Sequence, residues 1–246
     1  MATEMFRTCR AAVCKRAFRV SLSLVTIAEL LDRLPSPDRL RELSIALAVL
    51  DVALSPDDDP EDRYFRFDPR DTSGMALASM DNGSGDRYYI AFTRDAVFGW
   101  GFAHEAPMSP FTRTPVSLWP GLLDGMPAEF EPLTRDARFQ IADTFMATAA
   151  FWSEDGQTWH SGSATPPTGE TDADGAEELF ELILDDSPQA FERFAQDYLE
   201  MDPSEAAISA VYTSHPLDPS TLAELNPDAD YDDLREQLHA MGLPAS

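Results

Sequence analysis

The chain has 246 residues, of which 44 are acidic and 18 are lysine or arginine, and its net charge is −26 at pH 7. Hydrophobic residues make up 43% of it and aromatic residues 10%, which excludes disorder throughout and is ample for a sizeable core. The negative charge repels phosphate backbones and anionic lipids, and no run approaches the ~20 apolar residues of a membrane span. We therefore expect neither direct nucleic-acid binding nor membrane binding.

The first 24 residues differ in composition from the rest of the chain. Both cysteines, Cys9 and Cys14, and the single lysine, Lys15, lie there, whereas 43 of the 44 acidic residues follow. The apolar run before Lys15 is too short for a secretory signal, so we predict that residues 1–24 are a dispensable basic tail or start-site extension. Residues 25–246 are then expected to form one domain, and their lack of cysteine fits a cytoplasmic protein.

A core helix is predicted from Ser36 to Leu54. Ser36 and Pro37 are typical residues for the N-cap and the first helical position, and Ser55-Pro56 ends the helical pattern. Five leucines in this segment recur at spacings of three and four and form one apolar stripe: Leu40, Leu43, Leu47, Leu50 and Leu54. We expect this stripe to pack on a sheet, because the helix is short for a coiled-coil seam.

From residue 64 the pattern changes to short aromatic and β-branched runs, which are typical of strands. Tight loops separate these runs, so consecutive strands should be antiparallel neighbours in a meander. The predicted strands span residues 64–67, 75–80, 87–93 and 97–102.

Six prolines follow in residues 106–133 and exclude a long helix there. This segment is predicted to be a structured loop over the sheet, held down by Phe111, Trp119 and Phe130.

The rest of the chain is predicted to change from strand to helix. Residues 144–152 and 157–161 indicate a second hairpin, although the alanines of the first run leave a helix as an alternative. After Gly169, helices are expected at 179–183, 188–198, 206–212, 220–225 and 231–241. The predicted fold class is α+β, with an N-terminal helix packed on an antiparallel β-meander (25–165) and an acidic C-terminal helical region (166–246).

Among the histidines, His104 has the most suggestive position, because it lies beside Glu105 at the end of a predicted strand. A general base there would need a second polar group from elsewhere in the chain, which the sequence does not identify. The competing interpretation is a structural histidine that is hydrogen-bonded to the proline-rich loop. His160, His215 and His239 are predicted to be turn or surface residues.

Two other segments resemble known motifs but lack required features. Gly83-Ser84-Gly85 lies between two predicted strands, whereas a nucleophile elbow joins a strand to a helix. The alternating acids of residues 228–232 resemble a calcium loop, but Asp233 and His239 stand where that loop needs glycine and glutamate. We therefore expect a hairpin loop and a helix-preceding acidic turn, and we predict no metal and no cofactor.

Four short blocks of sequence resemble known proteins. NGSGDRYYIAF (82–92), GFAHE (101–105), MSPF (108–111) and WPGLLDGMP (119–127) are similar to a group of acidic bacterial proteins of uncharacterised function. Within them, GDRYYIAFTRDAVFGWGFAHE (85–105) resembles the central two strands of SUKH-type immunity proteins, which neutralise bacterial toxins. The second resemblance implies a binding function and brings no catalytic residues with it.

The acidic residues are concentrated in the second half of the chain. Residues 139–234 contain 22 acids and one base, Arg193. Such a distribution speeds association with a basic partner and penalises wrong partners. We therefore interpret the chain as a non-catalytic binding protein, an immunity-type inhibitor of a basic protein such as a toxin, with Glu177, Glu178 and Glu181 as representative partner-binding residues.

Three alternatives remain open. The chain could be an enzyme with its site near His104 and Glu105, or a nucleic-acid mimic whose acids are spaced like phosphates. The acidity could also serve only solvation, as in proteins adapted to salt. The sequence does not determine the oligomeric state.

Overall fold

The computed structural model describes residues 26–213 and 217–243. The prediction about residues 1–24 and the one about His215 therefore concern residues outside the described part. Among the described residues, no helix is both long and apolar enough to cross a membrane.

All helices but the short one at Glu131–Thr134 lie toward the two ends of the described chain. Their bounds are α1 Ile27–Leu30, α2 Pro37–Leu54, α3 Glu131–Thr134, α4 Ala176–Leu179, α5 Glu181–Leu184, α6 Pro188–Phe194, α7 Glu205–Tyr212, α8 Pro219–Leu225 and α9 Tyr231–Ala240. A π-helical turn, Ala195–Leu199, continues α6.

Helix α2 begins and ends where the sequence predicts. The Ser36 hydroxyl accepts a hydrogen bond from the Arg39 N–H, which satisfies one of the free donors of the first turn. All five leucines of the predicted stripe are buried, and the whole last turn and a half is buried as well. The reason is that α2 packs on β1 of the sheet and also contacts α7, α8 and α9, so most of its surface is covered.

Strands form one antiparallel sheet of six and a separate pair. Their bounds are β1 Phe65–Asp68, β2 Ala76–Asp81, β3 Arg87–Phe92, β4 Val97–Phe102, β5 Gln140–Ile141, β6 Thr144–Phe145, β7 Ala149–Ser153 and β8 His160–Ser161. The large sheet has the order β1-β2-β3-β4-β7-β8, and β5 pairs with β6. The predicted meander is confirmed.

The second hairpin differs in detail from its prediction. The expected strand at 144–152 is interrupted, since β6 pairs with β5 while β7 pairs with β4 and β8. The interruption lies at Thr148, whose hydroxyl donates to the carbonyl of Asp174 and whose N–H donates to Gly101. The helix alternative for these alanines is wrong, because Ala149 and Ala150 take part in the β4–β7 ladder.

The sheet separates two apolar cores, because successive side chains of a strand point to opposite faces. On one side, Ile90 and Phe151 pack with α2 and the C-terminal helices. On the other side, Phe98 and Trp100 pack with Phe130 of the proline-rich segment. The result is three layers, and the α+β fold class is confirmed.

Two of the predicted contacts of the proline-rich segment are present. Phe130 is fully buried, and Trp119 is partly buried with its indole N–H donated to the Thr165 carbonyl. Phe111 contributes less than expected, since its ring contacts Phe102 of β4 edge-on but its side chain is 49% exposed.

The C-terminal helices follow the predicted order with two corrections. The helix expected at 179–183 is two short helices that meet at Phe180, whose ring is fully buried against Tyr88 and Phe151. In the next helix Phe191 and Ala195 are buried as predicted, but Tyr198 is 51% exposed. The reason is that the π-helical turn shifts residues after Ala195 out of the register of the apolar face.

Candidate functional site

The site is built around a contact between Asp86 and His104. Asp86 ends the loop between β2 and β3, and His104 lies just beyond β4. One carboxylate oxygen of Asp86 accepts the backbone N–H of His104 at 2.8 Å and also contacts the imidazole Nδ1 at 2.7 Å. The two hydrogen bonds fix the imidazole both in place and in rotation.

The β2–β3 loop is shaped to present Asp86. The Asn82 side chain donates to one carboxylate oxygen of Asp86 and accepts the Asp86 N–H, both at 3.2 Å. Gly85 has a φ of +111°, and a Cβ there would lie 3.2 Å from the His104 ring. The predicted hairpin loop at 83–85 is confirmed, and glycine is needed at 85 for both backbone conformation and close approach.

The geometry of His104 corrects one expectation and leaves another open. Its hydrogen-bond partner is Asp86, not the proline-rich loop. With Nδ1–H donated to Asp86, the other ring nitrogen faces Glu105, whose carboxylate is 3.8 Å from Nε2 and 89% exposed. An aspartate that orients a histidine is a known arrangement of general bases. Within the described residues, however, no serine, threonine or cysteine side chain is hydrogen-bonded to His104.

Asp86 is the functional residue that sequence reasoning missed, although a signal existed. The β3–β4 hairpin pairs Arg87 with Phe102, so continuing the same register outward places Asp86 opposite residue 103 and within reach of His104. The length of a tight turn between two strands fixes such a register, and the Arg94-Asp95-Ala96 turn is visible in the sequence.

The three predicted partner-binding glutamates divide into two groups. Glu177 forms an exposed ion pair with Arg33 at 3.3 Å. Glu178 and Glu181, in contrast, form no ion pair within the described part of the chain, and Glu178 lies near Asp86. Partial burial raises the pKa of Glu178, and the nearby carboxylates of Asp86, Asp172 and Glu181 raise it further, even though one side of Glu178 is open to solvent.

Asp172 completes the acidic group from the loop before α4. Its carboxylate accepts the Glu177 N–H, and burial raises its pKa. We define the Asp86 cluster as Asp86, His104, Asp172, Glu178 and Glu181. It holds four carboxyl groups and one imidazole, which leaves a surplus of negative charge.

A close backbone contact holds α4, and with it Glu178, next to strand β4. Gly175 precedes α4 with a φ of +71°, and a Cβ there would lie only 2.3 Å from the Cβ of Ala103. The neighbouring Asp174 is buried and accepts the N–H groups of Ile27 and Ala176. The acidic residues are therefore held on an anchored segment.

Aromatic rings lie beside the Asp86 cluster. Tyr64 packs on Phe194 and Tyr198 with ring centroids 4.9 and 4.6 Å apart, and Phe194 stacks on Tyr198 at 5.3 Å. The Tyr198 hydroxyl donates to the carbonyl of Asn82 at 3.3 Å. This exposed ring therefore connects the π-helical turn after α6 with the β2–β3 loop that carries Asp86, here called the Asp86 loop. Burial, followed by the charges of Tyr198, Glu178, Glu181 and Asp86, raises the pKa of Tyr64.

The other sequence candidates lie away from this surface. His160 and His239 are exposed, as predicted. Asp230 caps α9 by accepting the N–H groups of Asp232 and Asp233, which confirms the helix-preceding acidic turn. In residues 26–213 and 217–243, no three histidine, cysteine or acidic side chains converge in a way that could hold a metal ion.

Comparison of the chain with protein-family models, curated proteins and solved structures finds no significant match. Function is therefore inferred from the residues and their geometry alone.

Proposed function

We propose that the chain is a binding protein that recognises a basic protein partner through the Asp86 cluster and the neighbouring Tyr198. The observation that supports it best is the group of four carboxyl side chains that lie together without an arginine partner in the described residues. Gathering like charges costs free energy, which a cationic side chain of a partner would recover.

The exposed aromatic ring favours a protein as the ligand. Tyr198 is 51% exposed, yet its hydroxyl bond and its stacking on Phe194 hold the ring in one orientation. Tyrosine is among the side chains enriched at protein interfaces, and an arginine can lie over its face while it pairs with a carboxylate. Glu178 and Glu181, whose charges act on Tyr64 beside Tyr198, would supply that carboxylate.

The distribution of charge over the chain supplies a second, longer-ranged argument. Residues 139–234 carry 22 acids against one base, and they include α4 and α5 of the site. A negative potential of this kind steers a basic partner toward the cluster before contact. Inhibition of a basic toxin by occlusion, as the resemblance of residues 85–105 implies, would use this steering.

The test is capture of proteins from the native host with matched baits. The first bait is the wild-type chain, and the second carries Glu178→Gln and Glu181→Gln. The third carries Glu154→Gln and Glu236→Gln, which remove the same charge at exposed positions outside the cluster. We expect a basic protein that the first and third baits retain and the second loses.

The kinetics of that complex check the steering argument. Because salt screens charges over about 8 Å at physiological ionic strength, the on-rate with the captured protein should fall steeply as salt rises. The Glu178→Gln, Glu181→Gln variant should lower the on-rate more than it raises the off-rate. Equal retention of every basic protein by all three baits, or a salt-independent on-rate, would refute the proposal.

A second candidate function rests on the Asp86–His104 pair itself. We infer that, if the chain is an enzyme, His104 is its general base and Asp86 orients it. A His104→Gln variant would then lose a hundredfold or more of turnover, as general bases contribute, without loss of folding. An assay of hydrolase substrates with this variant and with His239→Gln as control separates the two functions.

A further inference from the structure

A cleft lies at the opposite end of β3 and β4 from Asp86 and the β2–β3 loop. It has a volume of about 480 Å³, within the range of small-molecule sites. The start of α2, the β1–β2 turn, the β3–β4 turn and the β7–β8 loop surround it. Its lining includes Asp38, Arg41, Gly74, Arg94, Asp95 and Gly156.

The cleft is unusual in its charge. Two of its lining side chains are arginines, Arg41 and Arg94, in a chain with 44 acidic residues against 18 basic ones. The two aspartates on its lining, Asp38 and Asp95, are exposed and do not reach ion-pair distance of either arginine. The cleft is therefore locally neutral, whereas the molecule as a whole is strongly negative.

Arg41 is the informative residue, because its guanidinium has no acceptor among the residues that the structure describes. Two other half-buried or buried arginines meet carboxylates, since Arg39 contacts Asp186 at 2.6 Å and Arg63 lies 3.7 Å from Asp51. The half-buried Arg87 meets none in the described residues, but it lies on β3 at the Asp86 end of the sheet and not in this cleft. Arg41 is also half-buried, yet within the described residues its guanidinium makes neither an ion pair nor a hydrogen bond. A guanidinium has five donors, and partly buried donors normally find acceptors.

Two aromatic rings hold Arg41 in place. Its guanidinium carbon lies 5.6 Å from the ring centroid of Phe67 and 5.5 Å from that of Phe92. This cation–π contact fixes the group without using its N–H donors, which are left for a ligand. The positive end of the 18-residue helix α2 is part of the same cleft and adds to the attraction for an anion.

We propose that this cleft binds a small molecule through a carboxylate or phosphate group, with Arg41 as the main ligand-binding residue and Arg94 as the second. The fork of a guanidinium matches both kinds of oxyanion with two parallel hydrogen bonds. This site is separate from the Asp86 cluster, so its test does not depend on whether the proposed protein partner exists.

The probes are inorganic phosphate in one arm and acetate in the other, titrated at constant ionic strength while nuclear magnetic resonance follows the arginine side-chain N–H signals. We expect saturable shifts of the Arg41 and Arg94 signals in at least one arm, so that each glutamine variant keeps one reporter. The arm that saturates at lower concentration identifies the kind of oxyanion. Arg41→Gln and Arg94→Gln should each weaken binding at least tenfold. Arg41→Lys, which keeps the charge but not the fork, should weaken it less than Arg41→Gln.

The matched control is Arg135→Gln, which removes an exposed arginine just after α3, outside the cleft, and should bind like the wild type. Arg94 is exposed and forms no ion pair in the described residues, so Arg94→Gln remains decisive even if a change at Arg41 disturbs folding. The proposal is overturned if neither probe gives a saturable shift, or if the remaining arginine signal of the cleft titrates as in the wild type when Arg41 or Arg94 is replaced by glutamine.

Discussion

At the scale of single residues, the Asp86–His104 pair connects two strand ends that no other side-chain hydrogen bond in the described chain joins. Asp86 accepts both the His104 N–H and its Nδ1–H, and the ring also packs on Gly85. A lost hydrogen bond of this kind typically costs about 1 to 2 kcal/mol when it leaves a charged acceptor partly unpaired.

His104→Gln is therefore expected to lower the free energy of unfolding by about 1 to 2 kcal/mol. Unfolding in guanidinium chloride measures the change. The control is His239→Gln, an exposed residue of α9, for which we expect less than about 0.5 kcal/mol. An unaltered midpoint in both variants would show that the pair does not contribute to folding.

Gly175 allows a second prediction at the same scale. Gly175→Ala introduces a strained backbone at a φ of +71° and a methyl group 2.3 Å from the Cβ of Ala103, so α4 would have to move away from β4. We expect a loss of more than about 2 kcal/mol, since overpacking adds to strain.

Gly169→Ala separates the two effects. Gly169 has a φ of +89°, but a Cβ there meets nothing within 4 Å, so only the strain of about 1 kcal/mol applies. Thermal unfolding of both variants gives the comparison. Similar losses of stability in Gly169→Ala and Gly175→Ala would mean that the close approach of α4 to β4 adds nothing to the cost of Gly175→Ala.

At the scale of elements, α2 is the core of one layer. Leu47 is 1% exposed between the sheet and the C-terminal helices, so Leu47→Ala should cost about 2 to 5 kcal/mol through lost burial and the cavity left behind. Ile45→Ala, on the half-buried side of the same helix, should cost less. Denaturant unfolding measures both, and equal costs would contradict the packing of α2.

The elements also differ in how far their sequences specify them. The spacing of leucines predicts α2, and short apolar runs between turn residues predict the first four strands, because both signals lie within a few neighbouring residues. The break at Phe180 and the interruption at Thr148 depend on tertiary contacts, with the β3 and β7 rings and with the Asp174 carbonyl. Such contacts carry no periodic signal.

The candidate site likewise has features that the sequence predicts and features that depend on tertiary contacts. The position of His104 after a strand and the local charge of Glu178 and Glu181 are both visible in the sequence. Their meeting at Asp86 depends on how α4 docks beside β4, through the close approach of Gly175 to Ala103 and of Leu179 to Gly101. The Arg41 cleft was not predicted, because four segments far apart in sequence form it.

At the scale of the whole molecule, two buried carboxyl groups link folding to pH. Burial raises the pKa of Asp174 to about 7 and that of Asp51 to about 6, against the hydrogen bonds that each accepts. In the unfolded chain both titrate near pH 4. Between these values the folded state binds more protons than the unfolded state, so stability falls as pH rises from about 4 to about 7.

Asp71 acts in the opposite direction at lower pH. Although burial opposes the effect, hydrogen bonds from Arg138 and Ser73 hold the pKa of Asp71 well below its usual range. The stabilisation of the folded state by ionised Asp71 is therefore fully present above about pH 4 and is lost as the pH falls further. Together these three groups place the stability maximum at about pH 4, on the acid side of neutrality.

We predict that the free energy of unfolding decreases by about 2 to 4 kcal/mol between pH 5 and pH 8, and that Asp174→Asn removes a large part of this decrease. Asparagine cannot accept both the Ile27 and Ala176 N–H groups in the same way, so its absolute stability also falls; the slope with pH is the informative quantity. Asp59→Asn, which removes one exposed charge in the α2–β1 linker, controls for net charge and should keep the wild-type slope. Urea unfolding at a series of pH values measures the free energy of unfolding of all three proteins. If the wild-type stability instead rises from pH 5 to pH 8, Asp174 and Asp51 are ionised in the folded protein throughout this range.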